Sequence, residues 1–238
     1  MRSLFLYLNF MNKNILKELN YSYDDRKSDI YKLKLCAKIY KEKLLGRRFL
    51  VIFDNCNYFE VLFTKSEFKH LTGISSDLGA ANFYELCIGK KTKGKKIQYI
   101  SPEDIYTTIE HPRIFALKKF KVFEDIYKLF SNSSYVLNDI SENKRFYKLG
   151  LANFYLTLFL DDKNNFENTY IPISLKSESH LKNASNFDSI KFVFEKTNPY
   201  LKYSKLLYPN KIEIDFFDKY KYKLNELFIT KDFDHCVR

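Results

Sequence analysis

FLVIFDNCNYFEVLFT, residues 49–64, contains two runs of β-branched and aromatic residues on either side of the polar tetrapeptide Asp54-Asn55-Cys56-Asn57. Such runs favour extended strands, and the polar residues between them favour a turn. The pattern therefore predicts a β-hairpin. The second run continues directly into Lys65–Ile74, where a helical turn is predicted to end at Gly73.

The residues before the hairpin are predicted to be helical. Ser28–Leu45 repeats apolar residues every three to four positions, which predicts a helix with one buried face and Ser28 as its N-cap. Asn12–Leu19 predicts a shorter helix. Met1–Met11 is apolar but far shorter than the roughly 20 residues that cross a bilayer, so we expect it to dock on the core. Residues 1–46 are thus interpreted as an N-terminal helical extension.

After Gly73 the sequence changes between helix and strand signals. Ala80–Ile88 and Ile114–Phe130 predict helices, and Lys90–Lys96 between them is a loop with five lysines. Five strands are predicted in the last third: Tyr135–Ile140, Arg145–Leu149, Ala152–Leu160, Thr169–Leu175 and Ile190–Glu195. Residues 210–238 predict a helical tail.

This order of elements indicates an α+β fold. We expect a small antiparallel sheet packed by helices, with N-terminal and C-terminal helical extensions. The corresponding boundaries are an extension over residues 1–46, an α+β domain over residues 47–209 and a helical tail over residues 210–238.

The charge of the chain is positive and uneven. The formal net charge is +11, and residues 1–120 hold 22 lysines and arginines against 13 acidic residues. Such a surplus attracts polyanions, chiefly nucleic acid or anionic lipid. The alternative is that the surplus only keeps the protein in solution.

Several functional classes lack their sequence signals. The cysteines Cys36, Cys56, Cys87 and Cys236 are far apart, which argues against a structural zinc site and a disulfide-rich secreted scaffold and favours the cytoplasm. The sequence contains no paired metal-ligand motif, glycine-rich nucleotide loop or G-x-S-x-G elbow. We therefore expect no metal and no cofactor, and any reaction would use His, Lys, Tyr, Ser or Thr side chains.

The segment Phe68-Lys69-His70-Leu71-Thr72-Gly73 resembles the F-x-H-L-x-G segment of a family of phage and prophage proteins described as barnase–EndoU–colicin–RelE-like nucleases. Other features agree in order. A short helix ends near Gly89, a helix pair follows, and the late strand 154–160 precedes Tyr170-Ile171-Pro172-Ile173-Ser174-Leu175. The resemblance covers about residues 49–209.

The resemblance implies cleavage of RNA without a metal ion. In such a reaction a base removes the ribose 2′-hydroxyl proton, an acid protonates the leaving 5′-oxygen, and cations stabilise the phosphorane. His70 would be the general acid or base, and Thr72 would hold the phosphate or orient the imidazole. Ser174 and Lys176, at the end of a late strand, and Tyr155 complete the implied catalytic set.

Lysines near the motif and in the basic loop are the expected contacts to nucleic acid, because they can grip phosphates. They are Lys69, Lys90, Lys91, Lys93, Lys95 and Lys96. The alternative for the loop is a solvated surface with no ligand.

The motif residues also have structural interpretations. His70 could cap the turn beside Gly73, Thr72 could be a turn residue, and Ser174 could be an ordinary strand hydroxyl. His111 precedes Pro112 at a break between helices and is interpreted as structural.

Two functions are weighed against each other. The first is a metal-independent RNA-cleaving nuclease, acting as a toxin or as a phage or prophage effector. The second is a non-catalytic member of the fold that binds nucleic acid, a host protein or a ribonucleoprotein, such as an inhibitor of a host defence that targets nucleic acids. A peripheral membrane protein that uses its apolar N-terminus is a weaker third idea, and no stable membrane insertion is expected.

Overall fold

A computed structural model describes residues 21–54, 57–91, 96–142, 145–162, 168–198, 200, 202–203 and 205–209. The predicted elements within residues 1–20 and 210–238, and the predicted contacts of Lys93 and Lys95, lie outside the described residues. No helix in the described part of the chain is long and apolar enough to cross a membrane.

The described α-helices are α1 (Tyr23–Lys43), α2 (Glu67–Thr72), α3 (Ala80–Ile88), α4 (Arg113–Val122) and α5 (Lys128–Ser131). The described strands are β1 (Arg48–Phe53), β2 (Asn57–Leu62), β3 (Lys90–Lys91), β4 (Ile97–Gln98), β5 (Tyr135–Glu142), β6 (Arg145–Ala152), β7 (Thr157–Asp162), β8 (Thr169–Lys176), β9 (Ala184–Ser189), β10 (Phe192–Lys196) and β11 (Lys205–Tyr208). Short 3-10 turns occur at Pro102–Asp104, Phe123–Tyr127 and Leu181–Asn183.

A nine-stranded mixed sheet dominates the fold. Its strand order is β11-β10-β1-β2-β8-β7-β6-β5-β9, and β3 and β4 form a separate two-stranded ribbon. The β1–β2 hairpin predicted from residues 49–64 is confirmed. The predicted small antiparallel sheet packed by helices is wrong, because the hairpin and the later strands join into one large sheet.

The join is a parallel pairing of β2 with β8, through Glu60 opposite Thr169 and Val61 opposite Tyr170. It cannot be predicted from turn signals, because 106 residues separate the end of β2 from the start of β8. Local patterns predict neighbours along the chain, and those are antiparallel here.

Glu60 links strands on both sides of this pairing. Its carboxylate accepts hydrogen bonds from Arg48 Nη1 on β1 at 2.9 Å and from the Tyr203 hydroxyl at 2.7 Å. Thr169 Oγ1 on β8 lies 3.4 Å from the same group. Lys196 Nζ is 3.8 Å from the same carboxylate, so a charged side chain at the middle of the sheet has four partners among the described residues.

The main core lies between the helices and one face of the sheet. The Tyr40 ring, fully buried on α1, packs against the rings of Phe63, Phe68, Tyr84 and Phe123, and its hydroxyl donates to the Thr64 carbonyl at 2.6 Å. Burial of large aromatic side chains is the principal stabilising contribution here. Helix α1 thus shares its core with the sheet.

Two helix predictions need correction. Helix α1 starts at Tyr23 with Ser22 as its N-cap, since Ser22 Oγ accepts the Asp25 N–H at 3.1 Å; Ser28 lies within the helix. The predicted helix 114–130 is divided into α4, a 3-10 turn and α5.

A buried carboxylate fixes α1 against α4. Asp29 is fully buried and accepts hydrogen bonds from Arg113 Nε at 2.7 Å, Lys32 Nζ at 3.0 Å and the Tyr21 hydroxyl at 3.0 Å. Burial alone would raise the pKa of Asp29, but the hydrogen bonds from Arg113, Lys32 and Tyr21 outweigh it and hold that pKa below its usual value.

Substitution Asp29→Ala is expected to lower the free energy of unfolding by roughly 2 kcal/mol at neutral pH, because it removes the buried carboxylate that Arg113 and Lys32 share. The loss should be constant near neutral pH and shrink as the pH falls below about 4, because Asp29 then takes up a proton in the unfolded chain while its lower pKa keeps it charged in the folded wild type. It should disappear once the pH falls through that lower folded pKa. Urea denaturation at several pH values measures it. Asp25→Ala, which removes a more exposed partner of Arg113, should change stability by less than about 1 kcal/mol. Equal losses in the two variants would contradict the assignment.

Candidate active site

A cleft of about 790 Å³ opens between the helices and the strands β6, β7 and β8. This volume lies within the range of about 300–1,000 Å³ that is usual for ligand pockets. Its ionisable lining is mostly cationic and includes two histidines, one on α2 and one on the segment before α4. The polar groups used below are Lys69, His70, His111, Lys119, Arg145 and Ser174.

Helix α2 places His70 in the cleft. Phe68 and Leu71 are buried on the inner side of this short helix, whereas His70 is exposed on the outer side. Desolvation by the cleft walls lowers the pKa of His70 below its usual value, and the charges of Lys69 and Lys119 lower it further. The imidazole is therefore mostly neutral at pH 7 and can accept a proton.

His111 lines the same cleft. It lies immediately before Pro112, and its backbone is fixed by mutual hydrogen bonds with Thr108 at 3.1 and 3.2 Å. Desolvation lowers the pKa of His111, and the charges of Lys119 and Arg145 lower it further. The sequence pattern indicated only a helix break here, so this second histidine was missed.

Lys119 lies close to both histidines. Its Nζ donates to the His70 carbonyl at 3.1 Å, and its aliphatic chain crosses Gly73 so closely that a Cβ there would lie 2.9 Å from Lys119 Cδ. Gly73 has φ +73°, which ends α2 in the left-handed region. Desolvation and the nearby Lys176 ammonium lower the pKa of Lys119 to about 8.

The two implied catalytic residues on β8, Ser174 and Lys176, differ in whether they line the cleft. Ser174 lines the cleft. Lys176 is not among the residues that line the cleft. Its Nζ forms a salt bridge with the Glu142 carboxylate at 2.8 Å, and the same carboxylate is 3.2 Å from His180 Nε2. Burial would raise the pKa of Glu142, but Lys176 and His180 together hold it below its usual value. Lys176 thus contributes charge near Lys119 rather than a free ammonium in the cleft.

The other two implied catalytic residues do not line the cleft. Thr72 is fully buried; its hydroxyl donates to the Lys69 carbonyl at 2.8 Å and lies 3.4 Å from the Ile74 N–H. This is the contact pattern of a turn-stabilising hydroxyl. Tyr155 is 74% exposed in the turn between β6 and β7.

Among the predicted nucleic-acid lysines that the structure describes, Lys69 alone lines the cleft. Its Nζ donates to the carbonyl oxygens of Ser76 and Leu78. Lys90 is bonded to Asn82 Oδ1 at 2.7 Å and lies 3.5 Å from a carboxylate oxygen of Glu85. Lys91 belongs to β3, and neither it nor Lys96 reaches the cleft.

Strand β6 contributes a part of the cleft that the sequence did not reveal. Arg145, Phe146 and Lys148 all line it and are exposed. Neither Arg145 nor Lys148 forms a salt bridge with a described carboxylate, so both cations are open to an anionic ligand. No sequence motif identifies these residues, because they are far from α2 along the chain and only the pairing of strands in the sheet brings them to the same cleft.

One group of ligand atoms among the described residues is close enough to hold a metal ion. Glu142, Glu178 and His180 offer atoms within 4.8 Å of one another. The Lys176 ammonium already contacts Glu142, and its charge opposes a second cation there. This donor set is therefore a poor fit for a metal.

A family model described as phage-Barnase-EndoU-ColicinE5/D-RelE like nuclease 4 matches residues 32–212. The chain belongs to this family. No curated protein and no solved structure matches the chain. The resemblance found in residues 68–73 is thus confirmed, and the matched region starts earlier than expected, within α1.

Membership of this nuclease family indicates a nuclease that acts on nucleic acid. The cleft agrees with that chemistry, since it combines imidazoles with cations that have no described carboxylate partner. His70 and Ser174 from the predicted set meet His111, Lys119 and Arg145 there.

Removing the Lys119 charge is expected to raise the pKa of both His70 and His111, because a nearby cation disfavours each imidazolium. NMR titration of the imidazole carbon-bound protons in Lys119→Gln measures this directly. Lys119→Arg keeps the charge and should leave both pKa values near those of the wild type. Lys118→Gln removes an adjacent charge that does not line the cleft and serves as the control. Unchanged titration in Lys119→Gln would show that the ammonium does not act on the histidines.

Proposed function

We propose that this nuclease-family protein cleaves RNA without a metal ion and that His70 and His111 perform the two proton transfers. The observation that carries the proposal is that two solvent-accessible imidazoles line one cleft together with Lys69, Lys119 and Arg145. Two imidazoles can serve as the acid and the base in phosphodiester cleavage, and the cations can stabilise the charge that develops.

In the proposed reaction, one neutral imidazole takes the proton from a ribose 2′-hydroxyl. The 2′-oxygen attacks phosphorus, the bond from phosphorus to the 5′-oxygen breaks, and the second imidazole, in its protonated form, gives that oxygen a proton. The products are a 2′,3′-cyclic phosphate and a 5′-hydroxyl. The Lys119 ammonium and the Arg145 guanidinium stabilise the negative charge of the phosphorane, which is the task that a metal ion has in other nucleases.

The lowered pKa values of the histidines predict the pH at which such an enzyme works. Catalysis by this pair needs one protonated and one neutral imidazole, and both pKa values lie below the usual value of about 6.5. The rate should therefore peak at acidic pH and decline above about 6.5, as the proton donor loses its proton.

RNA cleavage in the presence of EDTA is the direct test. We expect a 2′,3′-cyclic phosphate product, and at least about a 100-fold lower rate in His70→Ala and in His111→Ala, as is usual when an acid or base is removed. Lys38→Ala, which removes an exposed charge on α1, is the control and should cleave like the wild type. Melting temperatures verify that each variant is folded. Intact RNA across several substrates and pH values would refute the enzymatic proposal.

A second candidate is a nucleic-acid-binding protein that keeps the fold without the reaction. It is favoured by the absence of any described residue that hydrogen-bonds the ring of His70 or His111, because catalytic imidazoles are commonly oriented by such a partner. On this alternative, the cationic cleft would bind RNA, or an acidic host protein in an effector or anti-defence role, with equal affinity in the wild type and in His70→Ala. Binding measured beside the cleavage assay distinguishes the two.

A further inference from the structure

Phe146 is an unusual residue in a cationic cleft. Its side chain is 61% exposed, and its backbone is held in the β5–β6 hairpin opposite Ser141. The next residue, Tyr147, is stacked on Phe159 with ring centroids 4.1 Å apart. The strand that carries Phe146 is therefore held by its pairing with β5 and by the neighbouring stack of Tyr147 on Phe159.

Phe146 also has no aromatic neighbour in the part of the chain that the structure describes. Two other strongly exposed phenylalanines, Phe154 and Phe187, each pack edge-to-face on Tyr135, with ring centroids 6.2 and 5.7 Å apart. No described ring contacts Phe146. Its faces are thus available to a planar ligand, whereas those of Phe154 and Phe187 are partly covered within their own cluster.

Cations flank this ring along the same strand. Arg145 precedes it and Lys148 follows two positions later, and both line the cleft without a described carboxylate partner. An exposed aromatic ring between unpaired cations is the combination with which proteins hold single-stranded nucleic acid, since bases stack on the ring and phosphates pair with the charges.

We propose that Phe146 is a stacking platform for an unpaired nucleobase and that this subsite makes the cleft select single-stranded RNA. The inference rests on the proposed function. A base on Phe146 would lie in the cleft that Arg145, Lys148, Lys119 and the two histidines also line, so its adjoining phosphates would be within the same cationic site. A base within a duplex is already stacked on its neighbours and cannot offer a face to the ring.

Binding without cleavage tests the subsite. Fluorescence anisotropy uses a labelled eight-nucleotide strand with 2′-O-methyl riboses, which cannot form the cyclic product, and a strand of equal charge whose sugars carry no bases. Phe146→Ala is expected to weaken binding of the base-bearing strand by roughly 10-fold, the usual effect of losing one stacked base. The abasic strand should bind the variant and the wild type equally.

Three further variants separate stacking from other effects. Phe146→Trp should bind the base-bearing strand at least as well as the wild type, whereas Phe146→Leu, which is apolar but not aromatic, should bind as weakly as Phe146→Ala. Phe154→Ala, which removes a 71% exposed ring outside the cleft, should bind both strands like the wild type. A duplex of the same sequence should compete poorly with the single strand.

The proposal is overturned if Phe146→Ala binds the base-bearing strand like the wild type, if both strands lose affinity equally, or if neither strand binds the wild type. These outcomes are independent of catalysis. Base-dependent binding without any RNA cleavage would support the subsite and refute the proposed function. RNA cleavage combined with binding that does not change in Phe146→Ala would support the proposed function and refute the subsite.

Discussion

The fold depends on one short contact, the parallel pairing of β2 with β8. On one side of it lie β1, β10 and β11, and on the other lie β7, β6, β5 and β9. Without this pairing the strands would form two separate antiparallel sheets. Helix α2 begins five residues after β2 ends and packs on β8. The pairing therefore also brings His70 to the edge of the strand that carries Ser174.

Two lysines of the cleft are held by backbone carbonyl oxygens, and this arrangement preserves the positive charge of the cleft. Lys69 is anchored by the carbonyls of Ser76 and Leu78, and Lys119 by the carbonyl of His70. A carbonyl oxygen orients an ammonium group without cancelling its charge, whereas a carboxylate would do both. The surrounding backbone thus supplies direction while the charge remains available to a phosphate and to the neighbouring imidazoles.

Local signals in the sequence predicted the hairpin, most of the helices and the His70 motif, because each depends on residues that are close along the chain. The nine-stranded sheet was not predictable in this way, since it is built by strands far apart in sequence. Strand β9 was missed because an edge strand facing solvent tolerates a polar sequence, here Ala-Ser-Asn-Phe-Asp-Ser. His111 and Arg145 were missed for a related reason: each is unremarkable locally and becomes part of the site only through tertiary packing.

Gly73 connects the chain's geometry to its chemistry. It permits the turn that ends α2, and it leaves room for the Lys119 side chain to pass. A side chain at this position would have to displace the Lys119 side chain, because the three atoms nearest to an added Cβ all belong to Lys119. One codon change could therefore strain the end of α2 and alter the charge pattern of the cleft while leaving the sheet in place. Descendants of this chain could in this way inherit the sheet and lose the placement of a cleft cation through a residue that has no functional group.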